Sequence, residues 1–178
     1  PPCFSVVQYW QQIDRHPHSR AAQRRRLWLN KAQGCWGPIM EPAVLDEIQR
    51  IFRAARFVSD LGIELESVGD GECVTTLEIE NRHLQQDGYV HAGVHATIAD
   101  HTAGVAAATV PRDRRAVLSV EFKLNLLRAA KGERLICRAT VLKPGRQFSV
   151  VESEVYCDDG EAERLASKMT ATMAYVPL

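Results

Sequence analysis

Residues 88–110 read GYVHAGVHATIADHTAGVAAATV. From Ala92 to Val110 nearly every side chain is small or apolar, and Pro111 closes the run. A helix that is apolar all round has no face to offer water, so the stretch predicts a buried helix. His95, Asp100 and His101 interrupt it, and its richness in Ala and Gly argues against a membrane span. Asp100 is the anomaly. An ionised carboxylate in such surroundings must be paired, hydrogen-bonded or neutralised. Buried carboxylates of this kind concentrate at functional sites. One held by Thr97 or by a backbone donor would instead serve packing alone. Gly93, Ala96, Thr97, Ala103, Gly104 and Ala107 stand three, four or seven residues away, on the same helical face. These small side chains leave room for a ligand or for another element to pack closely. At the helix start, backbone N–H groups lack intrahelical partners and carry partial positive charge. Gly93 there puts no Cβ in the way of an approaching carbonyl.

Outward from this helix the periodicity changes. Upstream, Val44, Leu45, Ile48, Ile51, Phe52, Ala55 and Phe57 recur at helical spacing, which predicts an amphipathic helix over roughly 43–58. Leu61, Ile63 and Leu65, then Cys73, Thr75, Leu77 and Ile79, alternate with polar neighbours. Gly69-Asp70-Gly71 between them signals a turn, so the pair reads as a hairpin. Downstream, four alternating segments cover about 116–126, 133–143, 146–157 and 165–176. In the first, Leu118, Val120, Phe122, Leu124 and Leu126 oppose Ser119, Glu121, Lys123 and Asn125. Pro144-Gly145 and Asp158-Asp159-Gly160 supply turns. Helix, two strands, buried helix and four strands together predict an α+β fold, an antiparallel sheet wrapped around a central helix.

The chain is neutral overall, with 22 basic and 22 acidic residues, so net charge points to neither nucleic acid nor a membrane surface. The charge is uneven: residues 1–39 hold six Lys/Arg and one acid, and the remainder 16 and 21. With Arg24, Arg25 and Arg26 covering every face of any helix, 1–40 reads as a basic, poorly packed extension ahead of a domain at 41–178. The five cysteines form no CxxC and no zinc spacing, which suits reduced thiols in a cytoplasmic compartment.

Gly88-Tyr-Val-His91-Ala-Gly93, followed by Asp100, resembles the G-x-x-H-G-G-x-x-x-x-x-x-D signature of PaaI-type hotdog thioesterases. Leu118–Phe122, Gly132-Glu133 and Lys143-Pro144-Gly145-Arg146 extend the likeness over about 41–178. The resemblance implies a hotdog fold and hydrolysis of acyl-CoA to free acid and CoA, without cofactor or metal. It implies that Asp100 acts as base or nucleophile, that the Gly93 amide polarises the thioester carbonyl, and that Gln85 orients water or carbonyl. Ser119 would stand near the carboxylate, and the site would lie between subunits of a homodimer or dimer-of-dimers. Ala92 departs from the family's first glycine, and Gln85 is longer than the Asn of many relatives. His91 reads as a structural helix start or a polarising group. His95 and His101 read as acyl-pocket lining or partner contacts; His91 and His95 lack a third metal ligand. Arg112, Arg114, Arg115, Lys143 and Arg146 are candidate phosphate contacts, with Arg115, Arg146, His91, Ser119 and Thr97 taken as substrate-binding. The alternative is a hotdog module that binds acyl-CoA without turnover, as sensor or regulator.

Overall fold

The computed structural model describes residues 42–110 and 115–177, with the side chains of 42–44 left aside. The extension at 1–40, and Arg112 and Arg114, therefore lie outside the described residues. The elements run α1 (Pro42–Ala54), α2 (Arg56–Leu61), β1 (Ile63–Gly69), β2 (Glu72–Glu78), a 3-10 turn (Asn81–His83), α3 (Ala92–Ala108), β3 (Arg115–Leu126), β4 (Arg134–Lys143), β5 (Phe148–Asp158) and β6 (Glu163–Pro177). The strands form one antiparallel sheet in the order β1-β2-β4-β5-β6-β3, with α3 packed on it. This is the α+β arrangement the sequence predicts.

The expected single helix over 43–58 is two helices, broken at Ala55 (φ −76°, ψ 84°). Residues 52 and 58 of a continuous helix would point roughly 120° apart. The break lets both Phe52 and Val58 reach the core.

α3 lies close to the sheet because its buried face is mostly alanine. Ala99, Ala103, Ala106 and Ala107 are fully buried opposite Leu77, Leu135, Val151, Val155, Met169 and Met173. Polar groups at this interface find partners, as burial requires. The Thr75 and Thr102 hydroxyls meet at 2.6 Å, Ser153 Oγ donates to the Ala99 carbonyl at 2.9 Å, and Tyr175 Oη donates to the Ala107 carbonyl at 3.1 Å. The opposite sheet face carries charge instead: Lys168 pairs with Glu152 and Glu154 at 2.9 and 3.0 Å, and Arg138 lies 4.9 Å above the Tyr156 ring.

β3 departs from the strict alternation predicted for it. Ser119 pairs with Met173 and Glu121 with Thr172, so Val120 is bulged out of register. The bulge swaps the strand's faces part-way along. Val117 and Ser119 share the helix side with Phe122, Leu124 and Leu126, while Leu118 turns to the outer face. β3 is also a sheet edge on which Leu118, Val120 and Phe122 are 56%, 58% and 46% exposed. An apolar edge of this kind is a template for pairing with another strand.

Gly132 sits where a Cβ would lie 2.5 Å from the Asp158 carbonyl oxygen and 2.8 Å from Cys157 Sγ. We predict that Gly132→Ala costs about 1–3 kcal/mol, the usual cost of overpacking, seen as a lowered urea midpoint at unchanged slope. An unshifted midpoint would mean that the β3–β4 connection yields freely.

Candidate functional site

The loop from Glu80 to His91 delivers two of the predicted residues, Gln85 and His91. It folds back on itself: Gln85 N–H donates to the Tyr89 carbonyl (2.8 Å), Gly88 N–H to the Gln85 carbonyl (3.0 Å), and His91 N–H to the His83 carbonyl (2.8 Å). Gly88 takes φ +76°, which a glycine adopts without strain. The Gln85 side chain is half-buried and makes no hydrogen bond to the described residues. The loop also borders a cavity of about 590 Å³ whose cations are Arg82 and Lys131. Of the predicted phosphate contacts, the described ones (Arg115, Lys143 and Arg146) do not line it.

His91 ends the loop as the N-cap of α3. Its extended backbone (φ −65°, ψ 141°) brings Nδ1 to accept the Gly93 N–H at 2.9 Å. This revises the Gly93 expectation. A Cβ at Gly93 would lie 3.0 Å from His91 Nδ1, so the glycine makes room for the imidazole, and its amide is already engaged within the protomer. The Ala92 amide, one residue earlier, has no acceptor among the described residues. Thr97 Oγ1 donates back to the Gly93 carbonyl (2.8 Å) and so does not hold Asp100.

Asp100 is half-buried, not enclosed as the apolar sequence suggests, because it lies on the helix side away from the alanine face. Its partner is Ser119, whose Oγ donates to Oδ1 at 2.6 Å. The Val120 bulge turns Ser119 to this side. A short bond to a carboxylate is among the stronger neutral-donor contacts, and it fixes where the oxygens point.

The other helix histidines do not line this face. His95 is 2% exposed and faces the sheet, with Nδ1 3.0 Å from Ser167 Oγ. Burial drives its pKa from 6.5 down to about 4. His101 packs on Phe52 of α1 with ring centroids 4.8 Å apart, and its buried Nε2 has no hydrogen-bond partner among the described residues. Burial lowers its pKa, and the neighbouring Asp100 opposes the shift. Among the described residues no cluster of three or more His, Cys, Asp or Glu is arranged to hold a metal ion, and no helix is long and apolar enough to cross a membrane. Cys73, Cys137 and Cys157 are free and buried, and burial pushes the Cys137 thiol up to about 12.

Within one protomer the predicted groups fall at two ends. The start of α3 lies beside the β3–β4 connection, where Val90 N–H meets the Ala130 carbonyl. Arg115 begins β3 at the opposite end, donating to the Arg146 carbonyl at 2.9 Å, with Lys143 and Arg146 exposed nearby. A strand of this length separates the ends by roughly 35 Å. Asp100 and Gly93 are seven residues apart on one helix, roughly 10 Å along its axis. His83 and the Val120 bulge are the contributions sequence reasoning missed. The bulge leaves no mark in an unbroken apolar alternation.

The family signature described as Thioesterase superfamily matches residues 87–163. The chain is 30% identical to the proofreading thioesterase EntH of Cronobacter turicensis, over 65% of this chain and 85% of that protein. It is 29% identical to a 1,4-dihydroxy-2-naphthoyl-CoA hydrolase of Listeria monocytogenes, over 64% and 90%. A thioesterase family protein from Silicibacter pomeroyi superposes with a TM-score of 0.73 at 32% identity, covering 75% of this chain and 98% of that one.

The buried His95 generates a pH prediction. The unfolded chain takes up its proton near pH 6.5, whereas the folded protein resists until about pH 4. Between those values the unfolded state binds more protons, so stability is retained above about pH 6.5 and lost as pH falls towards 4, by up to about 3 kcal/mol. The urea midpoint should fall over this window, and fall less in His95→Gln. Identical pH slopes in the two proteins would show that His95 is not the group responsible.

Proposed function

This chain belongs to the thioesterase superfamily and is a thioester hydrolase, and we propose that it hydrolyses acyl-CoA to free acid and CoA in a site completed by a second copy of itself. The observation that carries the reading is Asp100, a half-buried carboxylate held by Ser119 on a helix face of small residues. A water attacking the thioester carbon gives up its proton to Asp100, the carbonyl oxygen takes up the negative charge, and the C–S bond breaks as the thiolate of CoA leaves. The alternative route is attack by Asp100 itself, forming an anhydride that water then opens. In both, backbone N–H groups at the start of α3 stabilise the oxyanion. The Gly93 amide serves this role once His91 Nδ1 releases it, and the Ala92 amide is already unengaged. Gln85, half-buried and without a side-chain partner among the described residues, orients the water or the carbonyl.

Distance supports a shared site. Reacting groups must approach within about 3–3.5 Å, whereas Asp100 and the Gly93 amide of one helix lie roughly 10 Å apart along its axis. A helix from a second copy would bring Asp100 closer to a helix-start amide than its own helix allows. The exposed apolar edge of β3 suits antiparallel pairing with its own copy. Such pairing sets one protomer's Arg115 and Arg146 near the start of the other's α3, so the cations meet the phosphates of the CoA whose thioester that helix receives. The CoA thioester named for the Listeria relative supports this substrate class.

Steady-state release of free thiol from aryl and fatty acyl-CoAs tests the reading. Asp100→Asn should lower kcat by at least about 100-fold with the fold intact. Tight acyl-CoA binding by both proteins with no turnover by either would falsify hydrolysis in favour of a binding module. Arg146→Ala should raise KM for acyl-CoA roughly two- to fivefold, as expected of an exposed charge contact, and leave a thioester lacking the nucleotide unaffected. An equal rise for both substrates would remove Arg146 from phosphate binding.

A further inference from the structure

His83 is fully buried, and both of its ring nitrogens are engaged. Nδ1 accepts the Glu80 backbone N–H at 2.9 Å, so the proton of the neutral ring is on Nε2. Nε2–H then donates to the Leu61 carbonyl at 2.9 Å, across 22 residues of chain. The main chain of the same residue is engaged as well. Its N–H meets the Glu80 carbonyl at 2.9 Å, and its carbonyl receives the His91 N–H at 2.8 Å. One residue thus ties three places together: the end of α2, the start of the loop, and the N-cap of α3. Between its two anchor points the loop carries Gln85. Beyond them, the body holds the loop through Val90 N–H on the Ala130 carbonyl and through Arg82, which donates to the Asp60 carbonyl from an exposed side chain. The ring of His83 is the buried tie.

A polar side chain buried this deeply is retained only with its partners in place, since each unpaired nitrogen costs a desolvation penalty. The arrangement therefore has one tautomer and one ring orientation. It sets the loop's distance from the end of α2, and with it the position of the Gln85 amide, whose side chain has no partner of its own among the described residues.

We infer that His83 is a positioning residue for the hydrolysis, holding Gln85 and the helix start in register through its bond to the Leu61 carbonyl. The inference rests on the thioesterase reading above. The test is a double-mutant cycle on acyl-CoA turnover, with kcat referred to folded protein from thermal melts. In His83→Asn the side-chain oxygen still reaches the Glu80 N–H but not Leu61. In His83→Gln the longer amide restores a donor toward the Leu61 carbonyl. His83→Asn should lower kcat about 10- to 100-fold, the range for small misplacements of reacting groups, with KM little changed. His83→Gln should recover part of that loss. In a Gln85→Ala background the His83→Asn change should cost less than about twofold, because the group it positions is gone. Losses that multiply in the double mutant, or a Gln variant no better than Asn, would overturn the inference. If His83→Asn does not fold, the same cycle run with His83→Gln decides by the same criterion. A silent Gln85→Ala alongside an inactive Asp100→Asn would overturn the His83 role and leave hydrolysis standing. An active Asp100→Asn would overturn the thioesterase mechanism itself.

Discussion

An almost wholly apolar helix laid on a six-stranded sheet is the constraint from which the rest follows. α3 can be buried this closely because alanine dominates the face it turns to the sheet. Larger side chains there would lift the helix and break the contacts that satisfy its polar neighbours. Serine, threonine and tyrosine hydroxyls from the sheet reach α3 carbonyls or its Thr102 hydroxyl. Helix height is thus set by hydrogen bonds as well as by packing. With one face consumed this way, the remaining stripe of Gly93, Ala96, Thr97, Asp100 and Gly104 is left partly open.

The same geometry sets the spacing of the candidate site residues. A rigid helix keeps Asp100 at a fixed distance from its own N-terminal amides, and a rigid strand keeps Arg115 and Arg146 far from the loop of Gln85. Neither distance can be closed by side-chain motion. The exposed leucine, valine and phenylalanine of β3 are the observation on which the proposed pairing with a second copy rests.

The histidines illustrate how environment divides one residue type. His91 caps a helix at the surface, His95 is kept neutral by burial against Ser167, and His101 rests on Phe52. His83 anchors a loop through both nitrogens. Identical side chains with near-identical intrinsic chemistry take four roles because the partners differ, and the partners come from distant parts of the chain.

Local sequence determined much of this. The 88–110 stretch specified a buried helix with a carboxylate in it, because helical burial requires apolar side chains all round and Asp100 stands out against them. Alternating segments separated by Gly, Pro and Asp specified the strands and their turns, since strand periodicity is a property of neighbouring residues. The spacing of His91, Gly93 and Asp100 carried the family likeness. Tertiary structure alone decided the rest. Ser119 reaches Asp100 only because Val120 bulges, and a bulge is set by what β6 offers across the ladder. The Gly93 amide is occupied because the cap fold brings the His91 ring back onto it. Helix α1 ends at Ala55 because both Phe52 and Val58 have to reach one core. His83 is a tie because the end of α2 passes its ring. In each case the deciding contact joins residues whose proximity exists only once the sheet and helix have come together, so no reading of neighbours along the chain could reveal it.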